Sequence, residues 1–233
     1  MAQGQPPDGR RSSFSTTPKF DSARQRRYHS NPSSASSQAI CMAVKPHSKI
    51  TVADYLTLES GTLEKHEYFQ GEVFAMGGAG AIHNLVLANI IRELSSQLRK
   101  TPCLVHPSDL RVKVSNTGLY TYPDAIVVCD KPNLEQPGDT LLNPTVIIEV
   151  LSDSSELYDR GRKFEHYRTL TTLNEYLLVD QRAPKMELYS RQPQQRWLLS
   201  AANSLAESIS IPSIRCDLTL ADVYHKVEWS SAE

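Results

Sequence analysis

The chain has 233 residues and 26.1 kDa, with 39% hydrophobic and 22% charged residues and a net charge of -1. That is enough for one domain with a sizeable core plus tails, while the lack of any apolar run of about 18 residues excludes a membrane-spanning helix. The charge is unevenly divided: six basic and two acidic residues give residues 1–41 a net +4 and leave -5 for the rest. That balance argues against a broad electrostatic footprint for nucleic acid but leaves room for a local basic cleft.

Residues 1–41 are rich in Ser, Gln, Pro and Arg and poor in large aliphatics. They lack the apolar centre of a signal peptide and bury too little to offset ordering entropy. A disordered basic tail is therefore expected over residues 1–45, as a dispensable leader or a segment ahead of a start at Met42 rather than as a basic arm touching phosphates, and one folded domain over 46–228.

From Ile50 the composition turns globular. Thr51 reads as an N-cap and Asp54 as its reciprocal partner in a capping box, opening a helix that carries Tyr55, Leu56 and Leu58. Glu67–Met76, with Gly71 at its centre, reads as a hairpin or bulged strand. Gly77-Gly78-Ala79-Gly80 lacks the GK[ST] ending of a phosphate loop and reads as a flexible connection. Ile82, Leu85, Val86, Ile90, Leu94 and Leu98 fall at helical spacing over Ala81–Leu98. Strands are expected at Leu104-Val105, Leu110–Val114, Tyr122–Cys129, Thr145–Leu151, Glu175–Val179 and Lys185–Tyr189. Helices are expected over Ser154–Leu170, with Leu157, Phe164, Tyr167 and Leu170 inward, and over Leu218–His225. The fold class is α/β, bordering on α+β, with a mixed central β-sheet flanked by helices. Cys41, Cys103, Cys129 and Cys216 are far apart and form no C-x-x-C pair. This speaks against a zinc knuckle and for a reduced, cytoplasmic interior.

Two acids interrupt apolar strands. Asp124 follows Pro123 at the head of Ala125–Val128, and Glu149 lies inside Val146–Leu151. A carboxylate so placed loses hydration and must be paired, protonated or bound to a cation. Two of them in neighbouring strands suit a shared hard cation, Mg²⁺ or Mn²⁺. No Ser/His/Asp or Cys/His nucleophile is apparent from spacing, and no small-molecule organic cofactor is expected.

Tyr122-Pro-Asp-Ala125 followed by Ile147-Ile-Glu-Val-Leu-Ser152 resembles the split motif of the PD-(D/E)XK nuclease superfamily. With Glu67-Tyr-Phe-Gln-Gly-Glu-Val73, His83, Tyr158-Asp-Arg-Gly-Arg-Lys163 and Glu175-Tyr-Leu-Leu-Val-Asp180 in that order, residues 48–225 resemble the Uma-two family of restriction-endonuclease-like proteins. The resemblance implies a restriction-endonuclease-like sheet and metal-dependent hydrolysis of DNA phosphodiester bonds. It also implies a possible homodimer, since two strands need two sites. Asp124 and Glu149 would be metal ligands, with Glu67 or its competitor Glu72 as the third acid. The superfamily lysine is expected two positions after the glutamate, where this chain has Leu151, and Lys163 is its natural substitute. His83 and Asn84 are candidates for hydrogen bonds at the site. The competing function is a non-catalytic binding or scaffold module on the same fold.

Overall fold

The computed structural model describes residues 49–135 and 138–229. The expected tail, residues 1–45, lies outside them. Among the described residues no helix is long and apolar enough to cross a membrane.

The chain opens with α1 (Val52–Gly61), whose capping box is formed as the sequence implies. The Asp54 N–H donates to Thr51 Oγ1 at 3.2 Å and the Thr51 N–H to Asp54 Oδ2 at 3.1 Å. The hairpin β1 (His66–Phe69) and β2 (Glu72–Ala75) turns through Gln70 and Gly71, at φ 51° and 89°, the paired positive values of a two-residue type I′ turn. A side chain at Gly71 is also excluded by space, because its Cβ would fall 2.5 Å from that of Lys49. Next come α2 (Ala81–Leu98), β3 (Leu104–Pro107), β4 (Arg111–Val114), β5 (Leu119–Thr121) and β6 (Ala125–Val128). The short strands β7 (Leu134–Glu135) and β8 (Thr140–Leu141) precede β9 (Val146–Leu151). A continuous helical segment then consists of α3 (Glu156–Tyr158), a π-helical turn (Asp159–Lys163) and α4 (Phe164–Tyr167). Finally β10 (Glu175–Asp180), β11 (Lys185–Gln192), β12 (Arg196–Ala202), β13 (Ser208–Ile211) and β14 (Cys216–Thr219) lead into α5 (Leu220–Val223).

The strands form two six-stranded mixed sheets, rather than the single central sheet expected, and one small hairpin. The first sheet runs β2-β1-β5-β4-β8-β7 and the second β12-β11-β10-β9-β6-β3, with β13-β14 apart. Within the second sheet only β9 and β10 are parallel, because the helical segment between them returns the chain to the same end. One face of this sheet packs Val127, Ile148, Val150 and Leu177 against α2 and α5. The other packs Ile126, Ile147, Leu151 and Leu178 against Val112, Val114 and Leu119 of the first sheet, sealed by Tyr167, Leu170 and Leu173.

Three expectations are corrected. Leu157 is 89% exposed, because the π turn changes the phase between the two ends of the segment. Leu157 therefore no longer shares a face with Phe164, seven residues later. Leu218 belongs to β14, so only Leu220–Val223 of the last expected helix is helical. Cys103 and Cys129, 26 residues apart in sequence, are disulfide-bonded, whereas a reduced state was expected. The Leu104↔Val128 register of β3 and β6 brings the next pair face to face, whereas Cys216 is free.

Candidate active site

The site lies where β6 begins and β9 ends. Ala125 faces Ile148 across the antiparallel pair, so Asp124, one residue earlier, stands opposite Glu149. Both follow the alternation of Ile126 and Ile147, which puts them on the face turned toward the first sheet. The Asp124 N–H donates to Glu149 Oε2 at 3.4 Å, and Asp124 Oδ2 accepts from the Val150 N–H at 2.7 Å. The ring Nε2 of His83, in the first turn of α2, lies 3.2 Å from the same Asp124 oxygen.

Lys163 reaches this pair from the π turn. Its Nζ lies 3.0 Å from Glu149 Oε1, 3.3 Å from Asp159 Oδ1 and 3.4 Å from Glu67 Oε1. At 4% exposure, Lys163 is no solvated helix-surface lysine. The π turn aims both Asp159 and Lys163 inward, and the Tyr176 hydroxyl donates to the Asp159 carbonyl at 3.1 Å. The usual lysine position fails for a packing reason. Leu151 is 1% exposed in the aliphatic core between the sheets, where an ammonium would be stranded.

Glu67 is drawn in from β1. Its Oε2 accepts from the Tyr158 hydroxyl at 2.9 Å and its Oε1 from the Thr121 hydroxyl. Both of its oxygens are thus engaged, and it does not converge with Asp124 and Glu149 on one point. An unbroken strand through Gly71 would set Glu72 on the opposite face from Glu67. The register Glu67↔Phe74, Phe69↔Glu72 instead puts Glu67, Phe69, Glu72 and Phe74 on the same face, because the two-residue turn resets the alternation. Glu72 is nevertheless exposed at the hairpin tip, outside the cleft.

Electrostatics follow from this crowding. Burial, with Asp159 and Asp124 adding to it, pushes the Glu149 carboxyl well above the usual carboxylate range despite the pull of Lys163. Burial also raises Asp159. For Lys163, burial opposes the charge, but Glu149, Asp159 and Glu67 outweigh it and keep the ammonium protonated. Three carboxylates, those of Glu67, Glu149 and Asp159, thus surround one buried lysine, with Asp124 beside them, and the raised Glu149 and Asp159 carboxyls need a proton or a further cation to offset their burial. Among the described residues no three His, Cys, Asp or Glu side chains form a ready cage. Yet Asp124 Oδ1 has no protein donor there, and Glu149 Oε2 has only the long bond from the Asp124 N–H. These carboxylate oxygens are hard donors, and the one imidazole near them, that of His83, is turned to Asp124 Oδ2, so the donor set fits Mg²⁺ or Mn²⁺, which keep several water ligands.

The group opens into a cleft of about 820 Å³. One wall is β1, β2 and the glycine-rich loop Gly77–Gly80; the other is Ser152–Ser155 and the π turn. Sequence reasoning named Asp124, Glu149, Lys163 and Glu67 and missed their supports. Tyr167 donates to Glu149 Oε1 at 2.9 Å, and its position four residues after Lys163 was the available signal. Tyr158 and Thr121, which hold Glu67, gave none. Neither did Arg111, whose buried guanidinium donates to Thr140, Tyr122 and Asp139 at 2.9, 2.8 and 2.7 Å. It anchors the residue that precedes Pro123-Asp124, and the Tyr122 hydroxyl in turn donates to Glu59 at 2.7 Å.

The fold is shared with a protein of known structure. A crystal structure of a "putative nuclease" from Anabaena variabilis superposes with a TM-score of 0.61 and 18% identity, covering 75% of this chain and 97% of the other. That likeness defines the class as a restriction-endonuclease-like fold. Residues 52–222 match the Uma2 family, described as "Putative restriction endonuclease". Two uncharacterized Synechocystis proteins, slr1290 and sll1609, are 36% and 35% identical, over 66% and 68% of this chain and 80% and 90% of theirs. The chain belongs to the Uma2 family.

Proposed function

We propose that this chain is a metal-dependent endonuclease that hydrolyses phosphodiester bonds of DNA in this cleft. The observation that carries the reading is the Lys163 ammonium, buried beside the paired Asp124 and Glu149 at 3.0 Å from the latter. A buried lysine among acids is costly unless it serves the site.

Asp124 and Glu149 would hold Mg²⁺ or Mn²⁺. The ion, when bound, supplies Lewis-acid activation of water and charge neutralisation at the phosphate. Asp124 Oδ2 is fixed by the Val150 N–H, which leaves Oδ1 for the ion. Tyr167 and Lys163 occupy Glu149 Oε1, which leaves Oε2. Lys163 stays protonated and donates to the phosphate oxygen that gains charge in the transition state, so its role is electrostatic rather than that of a base. Glu67 and Asp159 aim Lys163, which makes Glu67 a positioning residue instead of the third ligand. The cytoplasm is the proposed site of action. A homodimer is needed only where both strands of a duplex are cut.

The second reading, a non-catalytic binding module, is favoured by the excess of acid in the cleft, which repels a polyanion unless the ion is present. The test is nicking of supercoiled plasmid and of single-stranded circular DNA with Mg²⁺ or Mn²⁺. Native protein is expected to cut and Asp124→Ala to lose the activity. No cleavage by native protein, or equal cleavage by the variant, overturns the nuclease reading in favour of the binding module.

A further inference from the structure

We propose that the cleft takes an unpaired nucleotide, its base stacked on Phe74 and an adjoining phosphate drawn by Arg162, so that the substrate is single-stranded or frayed DNA rather than intact duplex. The inference rests on the nuclease reading of the same site.

The reacting groups are sunk. Glu149 and Lys163 are 3% and 4% exposed, so a scissile phosphate must enter the cleft to meet them. A volume of about 820 Å³ falls within the roughly 300–1,000 Å³ of pockets that enclose small molecules. It suits a nucleotide, whereas the major groove of a duplex is alone about 12 Å wide.

Phe74 supplies the base platform. It is the cross-strand partner of Glu67 on the edge strand β2, so its side chain stands next to that carboxylate on the cleft side of the sheet. It lines the cleft, is 49% exposed, and stacks on no aromatic ring among the described residues. Phe69, its neighbour on the same face, differs: its ring packs edge-on against His166 at 4.7 Å. A lone exposed phenylalanine is ordinary on a protein surface. One set in the wall of a charged cleft, beside the residue that holds Lys163, offers a bare π-face to a base.

Arg162 supplies the phosphate contact. It lies in the π turn directly before Lys163, lines the cleft, and has no ion pair or hydrogen bond among the described residues. Its neighbours are committed elsewhere, Arg160 to Glu156 and Glu187, and Arg182 to Asp153, Glu156 and Asp180. Arg162 is thus the cleft's cation free to meet a phosphate. On the opposite wall Gly77 and Gly78 have neither a positive φ nor any atom within 4 Å of a would-be Cβ. The chain's own packing does not demand glycine there, and the bare backbone leaves room for a sugar–phosphate strand.

The test has two arms on the full chain. The first measures binding by fluorescence anisotropy in Ca²⁺, with a labelled oligonucleotide single-stranded, in blunt duplex, and in duplex with a splayed end. Single-stranded and splayed DNA should bind at least about tenfold more tightly than the duplex. Phe74→Ala should weaken single-strand binding about five- to hundredfold, the scale of one lost base stack, and Phe74→Trp should restore it. Arg162→Gln should flatten the slope of log affinity against log salt by about 0.7, one phosphate contact. The second arm measures Mn²⁺-dependent cleavage of the same DNAs, with cuts expected in the splayed arm. Equal binding of duplex and single strand, or a neutral Phe74→Ala, overturns this inference and leaves the nuclease reading intact. Preferential single-strand binding with no cleavage of any substrate overturns the nuclease reading alone.

Discussion

Strands β6 and β9 have two faces that differ in kind. Toward α2 and α5 they present Ala125, Val127, Val146, Ile148 and Val150, an aliphatic face whose partners are aliphatic. Toward the first sheet the same strands present Asp124 and Glu149, and the residues that meet them are His83, Lys163, Tyr167 and, through Lys163, Asp159 and Glu67. One pair of strands thus carries an unbroken aliphatic core on one side and, on the other, a second apolar core that gives way at one end to a charge cluster. The first face stabilises by area removed from water, about 25 cal/mol per Å². The second loses hydration of several ions and is kept together by their mutual pairing. A fold selected for stability alone would have no reason to bury three carboxylates and a lysine beside a half-buried fourth acid, so the asymmetry points to chemistry on the charged face.

Substitutions can break that comparison from either side. The largest effect is expected from Lys163→Ala, which should lower turnover about 10²–10³-fold, the scale of losing one preorganised charge-stabilising donor. Mn²⁺ affinity measured by calorimetry should fall little, since a cation is no ligand. Lys163→Arg should rescue poorly, because a planar fork does not replace a compact ammonium among three carboxylates. Adding Leu151→Lys to Lys163→Ala puts lysine back at the superfamily position. Leu151 is 1% exposed in the aliphatic core, so the double variant should melt lower than Lys163→Ala and recover no cleavage. Recovery would mean that the site tolerates either lysine.

On the aliphatic face the expectation is reversed. Ile148→Val should cost about 0.5–1.5 kcal/mol in denaturant unfolding and leave turnover per folded molecule unchanged. A comparable loss of stability should follow Tyr167→Phe, about 0.5–3 kcal/mol for one buried hydrogen bond, the upper end applying where Glu149 is ionised. That variant should also lower turnover, because Glu149 loses the donor that holds its Oε1. A Tyr167→Phe protein with full turnover would show that Glu149 needs no such support.

The parts legible in the sequence are those set by local pattern. The capping box at Thr51 and Asp54, the apolar stripe of α2 and the apolar runs of β6 and β9 all stand in the structure. Asp124 and Glu149 were visible because an acid inside such a run is costly. Long-range pairing was not legible. Division into two sheets depends on contacts such as Arg111↔Thr140, between residues distant in sequence. β12 was missed because its outer residues are mostly exposed and its apolar and polar residues do not alternate. β13 and β14 are short, and among the described residues they pair by backbone hydrogen bonds with each other and with neither large sheet. The π turn has no sequence signature in apolar periodicity, so Leu157 was placed inward and the shared burial of Asp159 and Lys163 could not be read. Cys103 and Cys129 meet through strand register alone.

The central claim is that the charged face of β6 and β9 holds a divalent ion for phosphodiester hydrolysis. It is tested most directly by Mn²⁺-dependent single-turnover cleavage of a labelled oligonucleotide, run beside Mn²⁺ calorimetry on native protein, Asp124→Ala and Lys163→Ala. The account predicts that native protein binds the ion and cuts. Asp124→Ala should lose both binding and cleavage, and Lys163→Ala should keep binding while cutting about 10²–10³-fold more slowly. Native protein that binds no ion, or an Asp124→Ala protein that binds and cuts like native, would contradict it.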